Sequence, residues 1–426
     1  MSALVVWRDG RRVGLLDTSS VDRVRFTYDP DVVSAAADSS EAAQVLNVGF
    51  RCPVRAKPYE GLDVEAVFEN LLPEGALRES LGMATKHAPG DTLGLLGVVG
   101  GECAGALQLW PEGEAPPATP QYDPFTPGGV VTAFAGTGWQ LRQVTGRASL
   151  SGAQQKLALW RRPPSGGDAP EYRLPKNGAP TTVVVKRPGS DFPHLLECEL
   201  VGMRLMAAAG VPTATSARSQ AASDCHESAR FDRVMDAMGN VQRLHAEDGC
   251  QLTGRVSKDK YGGKGGPTYA QLCAAFERRS LDSLADRQML FRWAVANAAI
   301  GNYDGHAKNV SVVYAGGVFS LSPAYDVVVT SVYPGLDKTF GLAFCGTTMP
   351  QALQPSKLRG GAREFRLEEA PARAMADEVV RRVRESLPSV LHEAAGLGGD
   401  TAVLEKLGRA VSGTAADLAV RLGLGS

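Results

Sequence analysis

Apolar residues recur at helical spacing in two segments near the middle of the chain. Residues 195–206 have a broad apolar face, and Gly210 follows them as a helix stop signal. A second apolar, helix-like run extends over residues 289–300. Runs rich in β-branched and apolar residues instead predict strands at 157–160 and 182–186. These alternating patterns predict an α+β fold.

Breaks in the pattern divide the chain into four stretches. Residues 1–110 are predicted to form a small, β-rich α+β module that begins with a hairpin through Asp9-Gly10. Residues 111–129 are rich in Pro and Gly and are predicted to be a linker. Residues 130–255 should form a β-rich lobe, and residues 256–426 a mainly helical lobe.

A loop with candidate chemistry follows the second apolar run, with the sequence Gly301-Asn302-Tyr303-Asp304-Gly305-His306-Ala307-Lys308-Asn309. Residues 310–314 are then predicted to form a strand, 315–317 a turn and 318–322 a returning strand. This hairpin should bring Asp326 back beside Asn309.

The residue types in this loop suit phosphoryl transfer. Asp304 can orient an attacking hydroxyl and accept its proton, while the Asn309 amide oxygen can bind magnesium. Asp326 adds the second hard oxygen ligand that a magnesium nucleotide requires. Protein kinases have a D-x-x-x-x-N loop, a hairpin and a metal-binding Asp in this order, so the pattern indicates a kinase. The alternative is structural, because Asn and Asp beside Gly are ordinary turn residues.

A kinase also needs a lysine that contacts the nucleotide phosphates and a helical glutamate that holds the lysine. Lys186 ends the predicted strand 182–186 and is the candidate lysine. Glu199 lies in the predicted helix and is the preferred partner. Glu197 is the competing partner and would point to a different face of that helix.

Small residues before the strand at 157–160 are typical of a loop whose backbone N–H groups approach phosphates. Residues 147–156 match neither the Walker A pattern nor G-x-G-x-x-G. The segment Gly262-Gly263-Lys264-Gly265-Gly266 also fails Walker A, because glycine follows the lysine. We interpret this second segment as a flexible loop, with a position near substrate as an alternative.

Several motifs together resemble the HipA-type toxin kinases, in the order in which that family has them. In the last two thirds of the chain they are Ser-x-x-Gly-Ala-Gln-x-Lys at 149–156, Phe231-Asp232-Arg233, Glu247-Asp248-x-Cys250-Gln251, the loop 304–309 and Tyr325-Asp326. In the first third they are Val6-Trp7-x-x-Gly10-x-x-Val13-Gly14, Phe26-x-Tyr28, Phe68-x-Asn70-Leu71-Leu72-Pro73-Glu74-Gly75 and Leu95-Leu96-Gly97. The resemblance covers residues 1 to about 345, and the remainder matches only as a helical tail.

The resemblance implies a protein-kinase-like two-lobed fold in which residues 130–255 are the nucleotide-binding lobe. It implies a bacterial Ser/Thr protein kinase that uses ATP and Mg²⁺ and is the toxin of a toxin–antitoxin pair. The family's target class is aminoacyl-tRNA synthetases, whose phosphorylation halts translation. The expected partner is a small helix-turn-helix antitoxin that carries the DNA binding, so that DNA contact would be indirect.

The resemblance also implies a role for individual residues. Asp304 corresponds to the catalytic base, Asn309 and Asp326 to the magnesium ligands, Lys186 to the phosphate contact and Glu199 to its partner. Phe231 marks the adenine-binding hinge, and Ser151, Gly152 and Ala153 belong to the phosphate loop. Ser149 matches the autophosphorylated serine, whose modification is expected to eject that loop and silence the enzyme; Ser151 is the alternative site.

Two more residues of the catalytic loop are candidates. Lys308 could neutralise the transferring phosphoryl group, since such catalysis depends mainly on charge stabilisation. His306 could contact the nucleotide or simply hydrogen-bond the loop backbone.

Composition limits the remaining possibilities. Lys and Arg (45) nearly balance Asp and Glu (46), which argues against a charge-driven nucleic-acid binder. Seven cysteines without a C-x-x-C motif are typical of free thiols in a reducing cytoplasm. A zinc site built from Cys225, His226, His245 and Cys250 would match no standard spacing. We expect no membrane segment and no signal peptide.

Two other functions remain open. A small-molecule phosphotransferase would share Asp304, Asn309 and Asp326 but would have little use for an N-terminal module. A non-catalytic co-repressor that only binds an antitoxin would not need Lys186 or the metal ligands.

Overall fold

The chain is an α+β protein, described here from a computed structural model. The structure describes residues 3–18, 23–39, 45–126, 129–134, 147–149, 155–162, 169–189, 192–263 and 265–425. The chain divides into two compact units. The first contains Met1–Arg187, Ser219–Ser257 and Val312–Phe319, and the second contains Pro188–Arg218, Lys258–Ser311 and Ser320–Ser426. The first unit thus includes both the N-terminal module and most of the β-rich lobe, and the predicted boundaries at 110, 129 and 255 stay predictions.

An antiparallel sheet organises the N-terminal part of the first unit. Its strand order is β4-β3-β2-β1-β5, and the strands are β1 Ala3–Arg8, β2 Arg11–Thr18, β3 Val24–Tyr28, β4 Tyr59–Glu60 and β5 Leu107–Pro111. The predicted hairpin through Asp9-Gly10 is confirmed, with both residues in the left-handed region. Alternating side chains such as Leu4, Val6 and Phe26 point into a buried apolar core.

A second antiparallel sheet follows in the same unit, with the order β11-β9-β7-β8-β6. Its strands are β6 Gln121–Phe125, β7 Lys156–Arg162, β8 Glu171–Lys176, β9 Val183–Lys186 and β11 His226–Ala229. The strands predicted at 157–160 and 182–186 are therefore confirmed.

The stretch 111–129 is more than a linker, because β6 lies within it and pairs with β8. Its prolines conceal this strand in the sequence. Pro124 is tolerated there because β6 forms an edge of the sheet, where one missing N–H donor breaks no inner ladder. The Tyr122 ring also packs 5.8 Å from that of Trp160, between centroids.

Short strands and helices complete the first unit. They are β12 Arg233–Met235, β13 Val241–Arg243, β14 Ala246–Asp248 and the helices Pro30–Asp38, Leu62–Glu69, Gly75–Thr85, Thr92–Val99, Gly129–Ala133 and Gly249–Thr253. The predicted hairpin after the catalytic loop is confirmed as β15 Ser311–Ala315 and β16 Val318–Leu321.

The second unit is mainly helical. Besides the short strand β10 Ser216–Arg218, it contains the helices Leu195–Ala208, Tyr269–Arg279, Ser283–Ile300, Lys357–Glu364, Glu369–Gly396 and Thr401–Leu422. Within the described part of the chain, no helix is both long and apolar enough to span a bilayer.

The helix Ser283–Ile300 carries the catalytic loop. It begins earlier than its apolar pattern predicts, because the Asp282 side chain accepts a hydrogen bond from the Ala285 N–H at 3.0 Å. It ends where Gly301 adopts φ 76°, a left-handed conformation that suits glycine. The last residues of this helix are buried on every side, so the loop starts from a rigid support.

Candidate active site

The candidate catalytic loop, residues 301–309, is hydrogen-bonded near its start to the preceding helix and to Thr330. The Asn302 side chain donates to Asn297 at 2.7 Å, and its own Oδ1 accepts from the Asp304 N–H at 3.2 Å. The Thr330 hydroxyl accepts from the Tyr303 N–H at 2.8 Å. The backbone before Asp304 is therefore fixed to the end of the preceding helix.

Asp304 presents its carboxylate at the surface of this loop. The side chain is 54 % exposed, and the Tyr261 hydroxyl donates to its Oδ1 at 2.7 Å. The Asp304 carbonyl accepts from the His306 N–H at 2.8 Å and from the Asn309 amide nitrogen at 3.0 Å. The carbonyl thus organises the loop, while the carboxylate is about half exposed to solvent.

The buried Asn309 side chain is oriented by that second contact. Because its amide nitrogen donates to a carbonyl, its Oδ1 is the atom left to bind a hard cation. In the described residues, no group of three or more His, Cys, Asp or Glu side chains could hold a metal ion. A magnesium ion held by one amide oxygen and one carboxylate needs no such group, since phosphates and water complete its coordination.

Asp326 is connected to the loop through its neighbour. The Tyr325 hydroxyl donates to the Lys308 carbonyl at 2.6 Å and lies 2.6 Å from the Ser311 hydroxyl. Asp326 itself has φ 57°, a left-handed conformation that Asp tolerates better than most residues. The negative charge of Asp326 also acts on His306 in the loop, where it partly offsets a larger lowering of the histidine pKa.

His306 is neutral at physiological pH. Burial, followed by the positive charge of Lys260, lowers its pKa to about 3, although Asp326 opposes this shift. A neutral imidazole adds no positive charge for phosphate groups. Its ring packs edge-to-face on Tyr261 at 5.2 Å between centroids. Lys308 is buried in the same loop.

Lys186 lies in the first unit, at the end of β9, and is nearly buried. In the sheet register it lies opposite Lys156 on one neighbouring strand and opposite His226 on the other. Residues directly opposite each other on adjacent strands face the same side of a sheet. The sheet therefore carries a row of two lysines and a histidine, which suits an anionic ligand.

The helix Leu195–Ala208 in the second unit contains both candidate glutamates, and both are buried. The Glu197 carboxylate accepts a hydrogen bond from Arg218 at 3.1 Å, so it already has a cationic partner. The pairing of Lys186 with Glu199 stays a prediction.

Ser149 is fully buried in the first unit. Its hydroxyl donates to the Leu71 carbonyl at 2.5 Å, and its N–H donates to the Glu102 carbonyl at 2.8 Å. A hydroxyl in this position cannot receive a phosphoryl group until it leaves its partner. Ser151, Gly152 and Ala153 lie outside the described residues.

A buried ion-pair cluster that sequence reasoning missed surrounds Glu102. Its carboxylate contacts Arg230 and Arg233, each at 3.0 Å, and Arg243 at 2.9 Å. Asp232 contacts the first two arginines at 2.8 and 2.9 Å. This cluster explains the motif Phe231-Asp232-Arg233 as a structural element, while Phe231 itself is half-buried. No local signal in the sequence identifies Glu102 as the partner.

One family model matches the N-terminal part of the chain, and another matches most of the remainder. A model described as HipA N-terminal domain matches residues 4–110, and one described as HipA-like C-terminal domain matches residues 148–387. The chain belongs to the HipA family.

Individual proteins agree with this HipA assignment. A Sinorhizobium fredii protein, Y4mE, whose name describes it as a candidate kinase, is 31 % identical over 97 % of each chain. The serine/threonine-protein kinase toxin HipA of Shewanella oneidensis is 28 % identical over 68 % of each chain. A solved structure of Shewanella oneidensis HipA with HipB and operator DNA matches at TM-score 0.81 and 21 % identity. It covers 99 % of this chain and 98 % of that chain, which shows a shared fold.

Proposed function

We propose that this HipA-family chain is a Ser/Thr protein kinase toxin that transfers the γ-phosphoryl group of ATP to a protein hydroxyl. The observation that carries the proposal is the loop of the second unit, where Asp304 and Asn309 share one hydrogen-bonded turn and Tyr325 connects Asp326 to it. One base and two hard oxygen ligands in this arrangement suit phosphoryl transfer.

In the proposed reaction, Asp304 orients the acceptor hydroxyl and takes its proton. The acceptor oxygen then bonds to the γ-phosphorus, the bond to the β–γ bridging oxygen breaks, and ADP leaves. Asn309 Oδ1 and the Asp326 carboxylate would hold Mg²⁺, which neutralises charge on the phosphates when bound. Lys308 adds a buried positive charge on the same loop.

The proposal also names the residues that bind the nucleotide. Lys186, in its row with Lys156 and His226, would contact phosphates, and Glu199 is the proposed partner of the lysine. Ser151, Gly152 and Ala153, which lie outside the described residues, are proposed to bind phosphate, and Phe231 is proposed to mark the adenine hinge. His306 contributes as a neutral group, because its lowered pKa keeps it uncharged.

Regulation is assigned to Ser149. A phosphate there would place nearly two negative charges against the Leu71 carbonyl that the hydroxyl now contacts, and would therefore expel the segment. Modification would thus remove the phosphate loop from the nucleotide and silence the kinase.

The proposed partners follow the HipA relatives. The Shewanella HipA structure contains HipB and operator DNA, so we propose a helix-turn-helix antitoxin for this chain. The nearly balanced charge of the chain supports DNA contact only through that antitoxin. An aminoacyl-tRNA synthetase is the proposed protein substrate, and the cytoplasm the proposed location.

Labelled phosphate transfer tests the proposal. Purified protein with γ-³²P-ATP and Mg²⁺ should label proteins of a bacterial lysate, and EDTA or Asp304→Asn should abolish the label. Mass spectrometry of the incubated chain should find phosphate on Ser149, and Ser149→Ala should remove it. Label that appears only in small molecules would support a metabolite phosphotransferase instead. Absence of any Asp304-dependent label would support the non-catalytic co-repressor.

A further inference from the structure

Tyr261 belongs to a segment that is attached to the catalytic loop by its backbone. The Lys260 carbonyl accepts from the Ala307 N–H at 3.2 Å, and the Gly262 N–H donates to the Gly341 carbonyl at 2.8 Å. Gly341 in turn packs against the loop itself, since a Cβ at this position would lie 2.6 Å from the Gly305 carbonyl carbon. These contacts fix the main chain on both sides of Tyr261.

The Tyr261 side chain is directed at the proposed base. Its hydroxyl donates to Asp304 Oδ1 at 2.7 Å, and its ring lies edge-to-face on His306. The Lys260 ammonium lies 5.4 Å from the ring centroid. The base is therefore contacted by a phenol that neighbouring groups hold in place.

Stability alone does not require this hydroxyl contact. Tyr261 is 47 % exposed, so water could satisfy its hydroxyl at little cost. The backbone bonds of Lys260 and Gly262 fix the segment without it. The consequence of the contact therefore falls on Asp304, because a hydrogen bond to a carboxylate restricts its rotation and fixes its orientation.

We propose that Tyr261 is a positioning residue for phosphoryl transfer, which holds the Asp304 carboxylate oriented toward the acceptor hydroxyl. This inference rests on the proposed kinase function and adds a residue to it. The glycine-rich segment 260–263 would thereby help to position the base beside the acceptor hydroxyl.

Tyr261→Phe tests the inference, because it removes the hydroxyl and keeps the ring. Label transfer from γ-³²P-ATP to lysate proteins should fall about 10- to 100-fold, the range for losing a hydrogen bond to a charged group. The KM for ATP should stay unchanged.

Tyr303→Phe is the matched control. Tyr303 precedes Asp304 in the chain, and among the described residues its hydroxyl makes no hydrogen bond to that carboxylate. This variant should keep the wild-type rate and the wild-type KM for ATP. Both variants should unfold at the wild-type temperature, which excludes misfolding as the cause of any loss.

Three results would separate the possible failures. A Tyr261→Phe protein with the wild-type rate of phosphate transfer would overturn the inference. A higher KM for ATP at unchanged kcat would overturn it too, because Tyr261 would then contact the nucleotide. Wild-type transfer by Asp304→Asn would remove the proposed function itself, independently of Tyr261.

Discussion

Two acidic residues of this chain, Glu102 and Asp304, use negative charge in opposite ways. Glu102 is completely buried and is surrounded by Arg230, Arg233 and Arg243. Burial raises its pKa, but the three arginines more than offset this, and the net pKa lies below its ordinary value. Asp304 is about half exposed and receives the Tyr261 hydroxyl.

The difference separates a structural carboxylate from one that we propose to be reactive. The ion pairs of Glu102 are buried and connect it to arginines 128 to 141 positions away in the chain. The Asp304 backbone is also held by hydrogen bonds, to Asn302 and Asn309, but its carboxylate is about half exposed. A rigid main chain with an accessible charge is what a general base requires.

The largest expected effect is on catalysis. Asp304→Asn should reduce the rate of phosphate transfer about 10²- to 10⁴-fold, the usual contribution of a general base. The melting temperature should barely change, because the backbone contacts of the loop do not use the carboxylate. Single-turnover label transfer and calorimetry on the same sample measure both quantities. A large loss of stability would show that this carboxylate is structural as well.

Glu102→Gln should have the reverse effect. It removes the buried carboxylate that Arg230, Arg233 and Arg243 share and leaves Asp232 to pair with the first two, which should lower the free energy of unfolding by about 3–5 kcal/mol. Denaturant titration measures the loss. Phosphate transfer per folded molecule should stay close to wild type.

Glu171→Gln is the control for the Glu102 experiment. Glu171 also pairs with an arginine, Arg173 at 2.7 Å, but both side chains are exposed. Its loss should cost well under about 1 kcal/mol. Equal losses in the two variants would contradict the distinction between buried and exposed pairs.

A smaller effect should appear in the pH dependence of stability, through Glu247. Burial raises the pKa of this carboxyl to about 7, although the Tyr314 hydroxyl and the Phe50 N–H oppose the shift. A carboxyl whose pKa is higher in the folded than in the unfolded state stabilises the fold at pH values below the unfolded-state pKa, which is near 4.5. This contribution to stability is lost as the pH rises through about 7.

Glu247→Gln mimics the protonated form and should remove that dependence. The free energy of unfolding of the wild type should fall between pH 4.5 and pH 7 relative to the variant. Urea titrations at pH 5 and pH 8 compare the two proteins. A variant that is equally destabilised at both pH values would show that the carboxyl does not titrate in this window.

Local patterns were enough to predict the catalytic hairpin and its supporting helix. The apolar periodicity of residues 289–300 and the turn at 315–317 act over a few residues, so a single sequence contains them. The Tyr261–Asp304 contact joins positions 43 apart, and the Glu102 cluster joins positions up to 141 apart. No periodic pattern encodes such pairs. Strand β6 was not predicted for another reason. Its stretch of the chain is rich in proline, which is typical of a linker, but a strand at the edge of a sheet also tolerates proline.

Anomalous diffraction from crystals grown with Mn²⁺ and a non-hydrolysable ATP analogue tests the central claim most directly. The account predicts a manganese peak within coordination distance of both Asn309 Oδ1 and the Asp326 carboxylate, with the γ-phosphate near Asp304. A nucleotide bound without metal at these two side chains, or bound away from this loop, would contradict it.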